Sequence, residues 1–142
     1  MFRKCLVMVI KGRGVISGSA EGVALVSRET IQGWSGIDDE TGVIIEEGHP
    51  FKGHSIAGKV LILSGGKGSN GWSCHFHEAR LKGIAPAALV FPKIDSRTGV
   101  AAVVTEVPCV TDLSDDVFDI IKTGDLVRVD GDNGTIEVID PM

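Results

Sequence analysis

The chain has 142 residues, 43% of them hydrophobic, which suffices for one buried core but not for two domains, so we expect a single domain over residues 1–142. Its apolar runs are only a few residues long, far short of the roughly 20 that a membrane helix requires, so no membrane partner is expected. The formal net charge is −5 and no long Lys/Arg cluster is present. Nucleic acid is therefore not an expected partner, because its binding depends on neutralising many phosphates.

Six segments are rich in β-branched and aliphatic residues and are bounded by Gly, Pro, Asp or Asn, which is typical of strands. They are residues 3–10, 23–27, 59–63, 87–91, 126–129 and 135–139. Between the last two lies Gly131-Asp132-Asn133-Gly134, which tolerates positive φ and predicts an antiparallel hairpin. In residues 33–58 the apolar residues follow neither helical nor strand spacing, so this region is expected to form a long loop with short strands.

Helical patterning is confined to short stretches. Apolar spacing predicts a helix over residues 70–82, with Gly83 placed as a left-handed C-terminal cap. Residues 100–104 are compatible with a helix or a strand. Ser114-Asp115-Asp116 predicts a capped helix that ends at Gly124. This interleaving predicts a β-rich α/β domain with a layered β/β/α arrangement instead of a regular parallel α/β sheet.

A glycine-rich loop, Ser64-Gly65-Gly66-Lys67-Gly68-Ser69-Asn70-Gly71, separates a predicted strand from the first predicted helix. Glycines let backbone N–H groups converge, and a helix N-terminus adds partial positive charge, so the loop is suited to a negatively charged ligand. It lacks the Walker A spacing, and its match to GxGxxG occurs without the rest of the βαβ unit. The substrate-binding residues expected here are Gly65, Gly66, Gly68 and Asn70.

Ser69 and Lys67 are the candidate catalytic residues of this loop. A serine hydroxyl is far too basic to ionise at neutral pH unless nearby positive charge lowers its pKa, and both Lys67 and the helix N-terminus supply such charge. Ser69 is also well placed to be the N-cap of the helix. The two roles are compatible, and the sequence does not choose between them.

The histidines and cysteines do not predict a metal site. Cys74 and His77 would face the same way on the predicted helix beside His75, but no further ligand is spaced convincingly, so no metal is expected on this chain. His49 and His54 are interpreted as turn or surface residues that could line a shared cleft. Cys5, Cys74 and Cys109 leave one cysteine unpaired in any intrachain scheme, which favours a reducing cytoplasm.

Two further groups have structural interpretations. Asp38-Asp39-Glu40 is expected to be a solvated turn in which Asp38 fixes the loop, while Trp34 and Trp72 are expected to anchor a core or an interface.

Taken in order, several motifs resemble the small subunit of the aconitase X family over nearly the whole chain. They are Gly36-Ile37-Asp38 with Thr41-Gly42, Gly53-His54-Ser55 with Gly58-Lys59-Val60-Leu61, Gly65-Gly66-Lys67-Gly68-Ser69, Gly83-Ile84-Ala85-Pro86-Ala87-Ala88, Val107-Pro108 and Thr123-Gly124-Asp125. The resemblance implies a swivelling β/β/α domain like the final domain of aconitase, present here as a separate small subunit.

The resemblance also implies a hydro-lyase that acts only with a large subunit. Cysteines of that partner would hold an iron or iron–sulfur cluster, so no cofactor is expected on this chain, and Ser69 would be the proton acceptor. Two hydroxy-acid substrates are implied by different branches, cis-3-hydroxy-L-proline and (R)-5-phosphomevalonate. Residues 72–78 depart from the archaeal pattern and few arginines lie near the loop, which favours hydroxyproline.

Two other functions compete with this interpretation. The run Glu78-Ala79-Arg80 with Gly83-Ile84-Ala85-Pro86-Ala87 resembles the end of the motif of phosphohistidine carrier domains, which share a swivelling fold. In that register Ser73 matches the motif serine, but Cys74 stands where the phosphorylated histidine belongs. The other alternative is a catalytically silent scaffold subunit in which Ser69 only caps a helix.

Overall fold

The computed structural model describes residues 4–28, 36–38, 40–64, 76–77, 79–94 and 96–141. Within these ranges the chain forms eight strands and two helices with defined bounds. In chain order they are β1 (Lys4–Lys11), β2 (Arg13–Ile16), β3 (Ser19–Ser27), β4 (Val60–Leu63), β5 (Ala88–Val90), α1 (Ser96–Thr105), β6 (Cys109–Thr111), α2 (Val117–Ile120), β7 (Leu126–Asp130) and β8 (Thr135–Pro141). Residues 76–77 and 79–81 are also helical.

Strand β3 belongs to two sheets. Its first half, Ser19 to Val23, pairs antiparallel with β7, and its second half, Ala24 to Ser27, pairs parallel with β4. The full strand order is β1-β8-β7-β3-β4-β5-β6-β2. We call β1, β8, β7 and the first half of β3 the antiparallel sheet, and the second half of β3 with β4, β5 and β6 the parallel sheet.

The two ends of this strand order are neighbours in the chain. Strands β1 and β2 lie at opposite ends of the order, yet only Gly12 separates them. The Gly12 amide donates a hydrogen bond of 2.7 Å to the Gly134 carbonyl in the β7–β8 turn. The sheet must therefore curl until its edges meet, which folds the antiparallel sheet over the parallel sheet.

The parallel sheet is the middle layer of three. Because side chains alternate along a strand, its two faces carry different residues. One face packs on the antiparallel sheet and on α2, with Val60, Ile62, Ala88, Val90 and Val110 among its buried residues. The other face packs against α1, the helical residue Phe76 and the irregular region after β3, with Leu61, Leu63, Leu89, Phe91 and Cys109 among its buried residues. The predicted β/β/α layering is confirmed.

The predicted secondary structure is confirmed for most elements. All six predicted strands form, β7 and β8 are an antiparallel pair, and the ambiguous residues 100–104 lie in α1. Strands β2 and β6 were not predicted, because β2 follows Gly12 and contains Gly14, and β6 follows Pro108. In the region 36–58, the isolated pairings Ile37 with Ile44 and Val43 with Ser55 match the expected loop with short strands.

The helix that begins after Asp116 is shorter than predicted. Asp116 caps it as expected by accepting a hydrogen bond from the Phe118 amide, but it ends at Ile120. The prediction that it continues to Gly124 is wrong, because the following residues turn back to β3. There the Gly124 amide donates to the Ala24 carbonyl, and the Ala24 amide donates to the Asp125 carbonyl.

Gly83 ends the helical segment that contains residues 79–81, as predicted. Its φ is +73°, its amide donates to the Arg80 carbonyl, and the Ile84 amide donates to the Ala79 carbonyl. These two bonds are the Schellman arrangement, which favours glycine at this position. The start of the predicted helix, residues 70–75, lies outside the described residues. Within the described ranges, no helix is long and apolar enough to cross a membrane.

Replacing Gly14 with alanine should destabilise the fold. A Cβ at Gly14 would lie 1.9 Å from the Gly131 carbonyl oxygen in the β7–β8 turn, so the substitution must push the turn away from β2. We expect Gly14→Ala to lower the free energy of unfolding by about 3 kcal/mol, measured by urea titration.

Gly99→Ala in α1 is the matched control. Among the described residues, its Cβ would meet only Ile94 Cγ2, at 3.3 Å. Because alanine also favours the helix, the free energy of unfolding should change by less than about 1 kcal/mol. If Gly14→Ala were as stable as Gly99→Ala, the close packing of β2 on the turn would be wrong.

Candidate functional site

The carboxyl ends of the parallel strands define the candidate site. Strands β3, β4, β5 and β6 run parallel, and Ser27 at the end of β3 pairs with Leu63 at the end of β4. Loops that follow these strands therefore leave from one side, which we call the carboxyl edge. Ligands of open α/β sheets bind at such an edge.

The predicted glycine-rich loop starts with Ser64, directly after β4, so it begins at the carboxyl edge. Its candidate residues Gly65, Gly66, Lys67, Gly68, Ser69 and Asn70 lie outside the described residues, as do Trp72, Cys74 and His75. The residues on either side of this stretch are described. Ser64 precedes it, and Phe76, whose side chain is buried in the core, follows it. Both flanks of the loop are thus tied to the fold.

Ser64 is hydrogen-bonded to the residue that follows β3. Its Oγ donates to the Arg28 carbonyl at 2.6 Å. This bond lies one residue beyond the last backbone pair of β3 and β4, so a side chain continues the contact between the two strands. Sequence reasoning did not identify Ser64 as important, because its partner lies 36 positions away in the chain.

The Arg28 side chain is held by α2 and by the residue that caps it. Its Nη2 lies 3.1 Å from Asp116 Oδ2 and 3.2 Å from Asp119 Oδ1, and its guanidinium lies 5.0 Å from the centroid of the Phe118 ring. The hydrogen bond with Asp116 raises the pKa of Arg28, and the same bond lowers the pKa of Asp116. Because all three charged groups are well exposed, these ion pairs add little to global stability.

A groove of about 280 Å³ opens beside Arg28. It is lined by Val26, Arg28, Phe118, Ile121, Lys122 and Thr123. Thr123 Oγ1 accepts a hydrogen bond from the Val26 amide at 2.9 Å. It can also donate to the Val26 carbonyl, 3.3 Å away. The Thr123 side chain thus makes the two hydrogen bonds that the backbone of a neighbouring strand would make. The groove brings two cations, Arg28 and Lys122, together with the side chains of Val26, Phe118 and Ile121. Because Arg28 directly follows β3, the groove adjoins the carboxyl edge.

The predicted turn and surface residues lie in the irregular region between β3 and β4. Asp38 Oδ1 accepts from the amides of Glu40 and Thr41 at 2.8 and 3.2 Å, which confirms that Asp38 fixes this turn. His54 is exposed, as expected. His49 is buried, with only 5% of its surface exposed, and its Nδ1 accepts from the Phe51 amide at 3.0 Å. Trp34 and Asp39 lie outside the described residues.

No group of three or more His, Cys, Asp or Glu side chains is arranged to hold a metal ion within the described part of the chain. His77 is exposed there on the helical segment. Cys109 is buried on the helix-facing side of the parallel sheet, and burial raises the pKa of its thiol to about 12. A metal ligand must be a thiolate, so Cys109 is poorly suited to that role.

Comparison with known proteins decides the family. A family model described as the aconitase X swivel domain matches residues 9–138. The chain belongs to the aconitase X family. The phosphomevalonate dehydratase small subunit of Archaeoglobus fulgidus is 41% identical over 128 residues, which cover 90% of this chain and 96% of the relative. The corresponding subunit of Methanocella arvoryzae is 40% identical over 131 residues, which cover 92% and 99%.

A solved aconitase X has the same fold. The crystal structure of Thermococcus kodakaraensis aconitase X in its holo-form matches with a TM-score of 0.88 and 34% sequence identity, covering 94% of this chain and 100% of that chain. The expected aconitase X small subunit and its swivelling fold are confirmed. The chain is the small subunit of an aconitase X-type dehydratase, and the family match favours this over a phosphohistidine carrier.

Cys109 of this aconitase X subunit should be unreactive while the protein is folded. With a pKa of about 12, roughly one thiol in 10⁴ is ionised at about pH 8, and the side chain is also buried. Iodoacetamide labelling followed by peptide mass spectrometry should leave Cys109 unmodified in the folded chain and modify it fully in guanidinium. Rapid labelling of the folded chain would contradict the buried, protonated thiol.

Proposed function

We propose that this aconitase X subunit acts with a large subunit to remove water from (R)-5-phosphomevalonate. The observation that carries this proposal is the identity of the relatives. Phosphomevalonate dehydratase small subunits from three archaea are 38% to 41% identical to this chain over at least 90% of its length. The preference for cis-3-hydroxy-L-proline, based on residues 72–78 and on the scarcity of arginine near the loop, gains no support from these comparisons.

Ser69 is the proposed proton acceptor. Dehydration of a 3-hydroxy acid requires a base that takes the proton from the carbon beside the carboxylate, while the hydroxyl leaves the next carbon as water. Negative charge builds on the carboxylate side during this step, and Lys67 with the amides of Gly65, Gly66, Gly68 and Asn70 would stabilise it. Covalent geometry keeps Ser69, five residues beyond Ser64, within about 18 Å of the carboxyl edge.

The large subunit would supply the other half of the site. An iron or iron–sulfur cluster held by its cysteines would act as the Lewis acid for the departing hydroxyl. Cys109 is the one cysteine whose side chain is described in this chain, and as a buried, protonated thiol it is a poor metal ligand. This is compatible with a metal held by the large subunit. A cytoplasmic location stays a prediction that rests on the three cysteines.

Ser69→Ala should abolish turnover by the assembled complex without dissociating it. Loss of a general base lowers kcat by roughly 10³-fold, and alanine removes only the hydroxyl. Steady-state kinetics measures the loss, and size-exclusion chromatography checks the assembly. Ser17→Ala, an exposed serine between β2 and β3, is the control and should keep full activity. Turnover near the wild-type rate in Ser69→Ala would leave only the scaffold function.

The substrate proposal predicts that the assembled complex dehydrates (R)-5-phosphomevalonate and leaves cis-3-hydroxy-L-proline unchanged. Product formation is followed by mass spectrometry as the loss of one water from each candidate. Turnover of hydroxyproline without turnover of phosphomevalonate would contradict the proposal while leaving the dehydratase assignment intact.

A further inference from the structure

We propose that the groove beside Arg28 binds the phosphate group of the substrate. This inference rests on the proposed function, because (R)-5-phosphomevalonate carries a phosphate at the end remote from its carboxylate, whereas cis-3-hydroxy-L-proline has none. All six residues that line the groove are described, and none of them belongs to the glycine-rich loop. In this role the groove selects the substrate and takes no part in the loss of water.

The lining of the groove carries two cations and no carboxylate. Arg28 and Lys122 line it, and its other four lining residues are uncharged. A phosphate monoester carries about two negative charges near neutral pH, so two neighbouring cations complement it. A carboxylate in the lining would instead repel the phosphate.

The guanidinium of Arg28 keeps hydrogen-bond donors for a ligand. Both carboxylates that it contacts, Asp116 at 3.1 Å and Asp119 at 3.2 Å, are bound through the same nitrogen, Nη2. Nη1 and Nε make no hydrogen bond within the described part of the chain. A guanidinium is a planar fork of N–H groups that matches the oxygens of a phosphate. Arg28 can therefore bind an anion without giving up its ion pairs.

Contacts outside the groove hold Arg28 in place before a ligand binds. Asp116 and Asp119 are not among the residues that line the groove, so they hold the guanidinium without occupying the site. The centroid of the Phe118 ring lies 5.0 Å from the guanidinium. An arginine held in this way loses less conformational entropy on binding a phosphate than a free surface arginine does.

Lys122 supplies the second cation. Its Nζ donates to the Phe118 carbonyl at 3.2 Å, which uses one N–H of the ammonium and leaves the others for a ligand. Its backbone is fixed because its amide donates to Asp125 Oδ2 at 2.9 Å. Since Asp116 and Asp119 offset much of the charge of Arg28, the groove needs Lys122 to attract an anion.

The fold places an arginine where the sequence shows none. Few arginines lie near the glycine-rich loop in the sequence, but the Arg28 carbonyl accepts a hydrogen bond of 2.6 Å from Ser64 Oγ, although the two residues are 36 positions apart. Arg28 thus lies at the carboxyl edge, where open α/β sheets bind their ligands. The scarcity of arginine in the sequence is therefore no obstacle to a phosphorylated substrate.

Arg28→Ala in the assembled complex tests the phosphate site. We expect kcat/KM for (R)-5-phosphomevalonate to fall by roughly 30-fold, mainly through KM, because charge-assisted hydrogen bonds to a group remote from the reaction stabilise the ground state and the transition state alike. Arg28→Lys keeps the charge but loses the fork, so kcat/KM should fall by roughly tenfold. Lys122→Ala should lower it by roughly fivefold.

Arg13→Ala is the matched control. Its side chain is as exposed as that of Arg28, at 63% against 61%, and its Nε is paired with Asp112 Oδ2 at 2.8 Å, but it does not line the groove. Because salt screens a distant surface charge, kcat/KM should stay within about twofold of wild type. Wild-type kcat/KM in Arg28→Ala, or an equal loss in Arg13→Ala, would overturn the proposal.

Inorganic phosphate probes the groove without turnover. The assembled complex should broaden the phosphorus NMR resonance of inorganic phosphate, and Arg28→Ala should remove most of this broadening while Arg13→Ala retains it. Equal broadening by wild type and Arg28→Ala would contradict the site. Failure of the wild-type complex to dehydrate (R)-5-phosphomevalonate would refute the proposed function, whereas the NMR comparison would still decide whether the groove binds phosphate.

Size-exclusion chromatography separates a ligand site from a subunit contact. Every variant should elute together with the large subunit, because a ligand site is not needed for assembly. Dissociation of Arg28→Ala, with assembly retained in Arg13→Ala, would place the large subunit in the groove and overturn the proposal.

Discussion

The sharing of β3 between two sheets is the constraint on which the rest of the fold depends. One nine-residue strand pairs antiparallel along its first half and parallel along its second. This exchange of partners forces the sheet to curl, and the closure of β1 and β2 around Gly12 completes the two layers. It also aligns the ends of β3 and β4, so that Arg28 and the glycine-rich loop leave the sheet side by side.

The charges at the carboxyl edge have a local effect and add little to stability. Arg28, Asp116 and Asp119 are exposed, and ion pairs between exposed groups contribute little to the free energy of folding. They do restrict Arg28, which is the acceptor for Ser64. The neighbouring groove is also lined by a second cation, Lys122. In the proposed function, this edge would face a large subunit that supplies the metal.

The sequence predicted the parts of the fold that depend on local patterns. Six strands, the Gly83 cap, the Asp116 cap and the β7–β8 hairpin all follow from side-chain periodicity and turn chemistry. It missed β2, which contains Gly14, and β6, which follows Pro108. It also extended α2 past Ile120, where Gly124 pairs with β3 instead of ending the helix. The Ser64–Arg28 contact could not be predicted, because it joins residues 36 positions apart whose side chains carry no shared motif. The preference for cis-3-hydroxy-L-proline, which rested partly on residues 72–78, gains no support from the relatives, which are phosphomevalonate dehydratase small subunits.

Hydrogen–deuterium exchange of this subunit with and without its large partner tests the central claim, that the carboxyl edge is the half of the site completed by another polypeptide. Binding should slow exchange in peptides that cover residues 28 and 64–76. Exchange should be unchanged in residues 56–59 and 84–87, which pair with each other at the amino ends of β4 and β5. Slowed exchange at residues 56–59 and 84–87, with none at 64–76, would contradict the account.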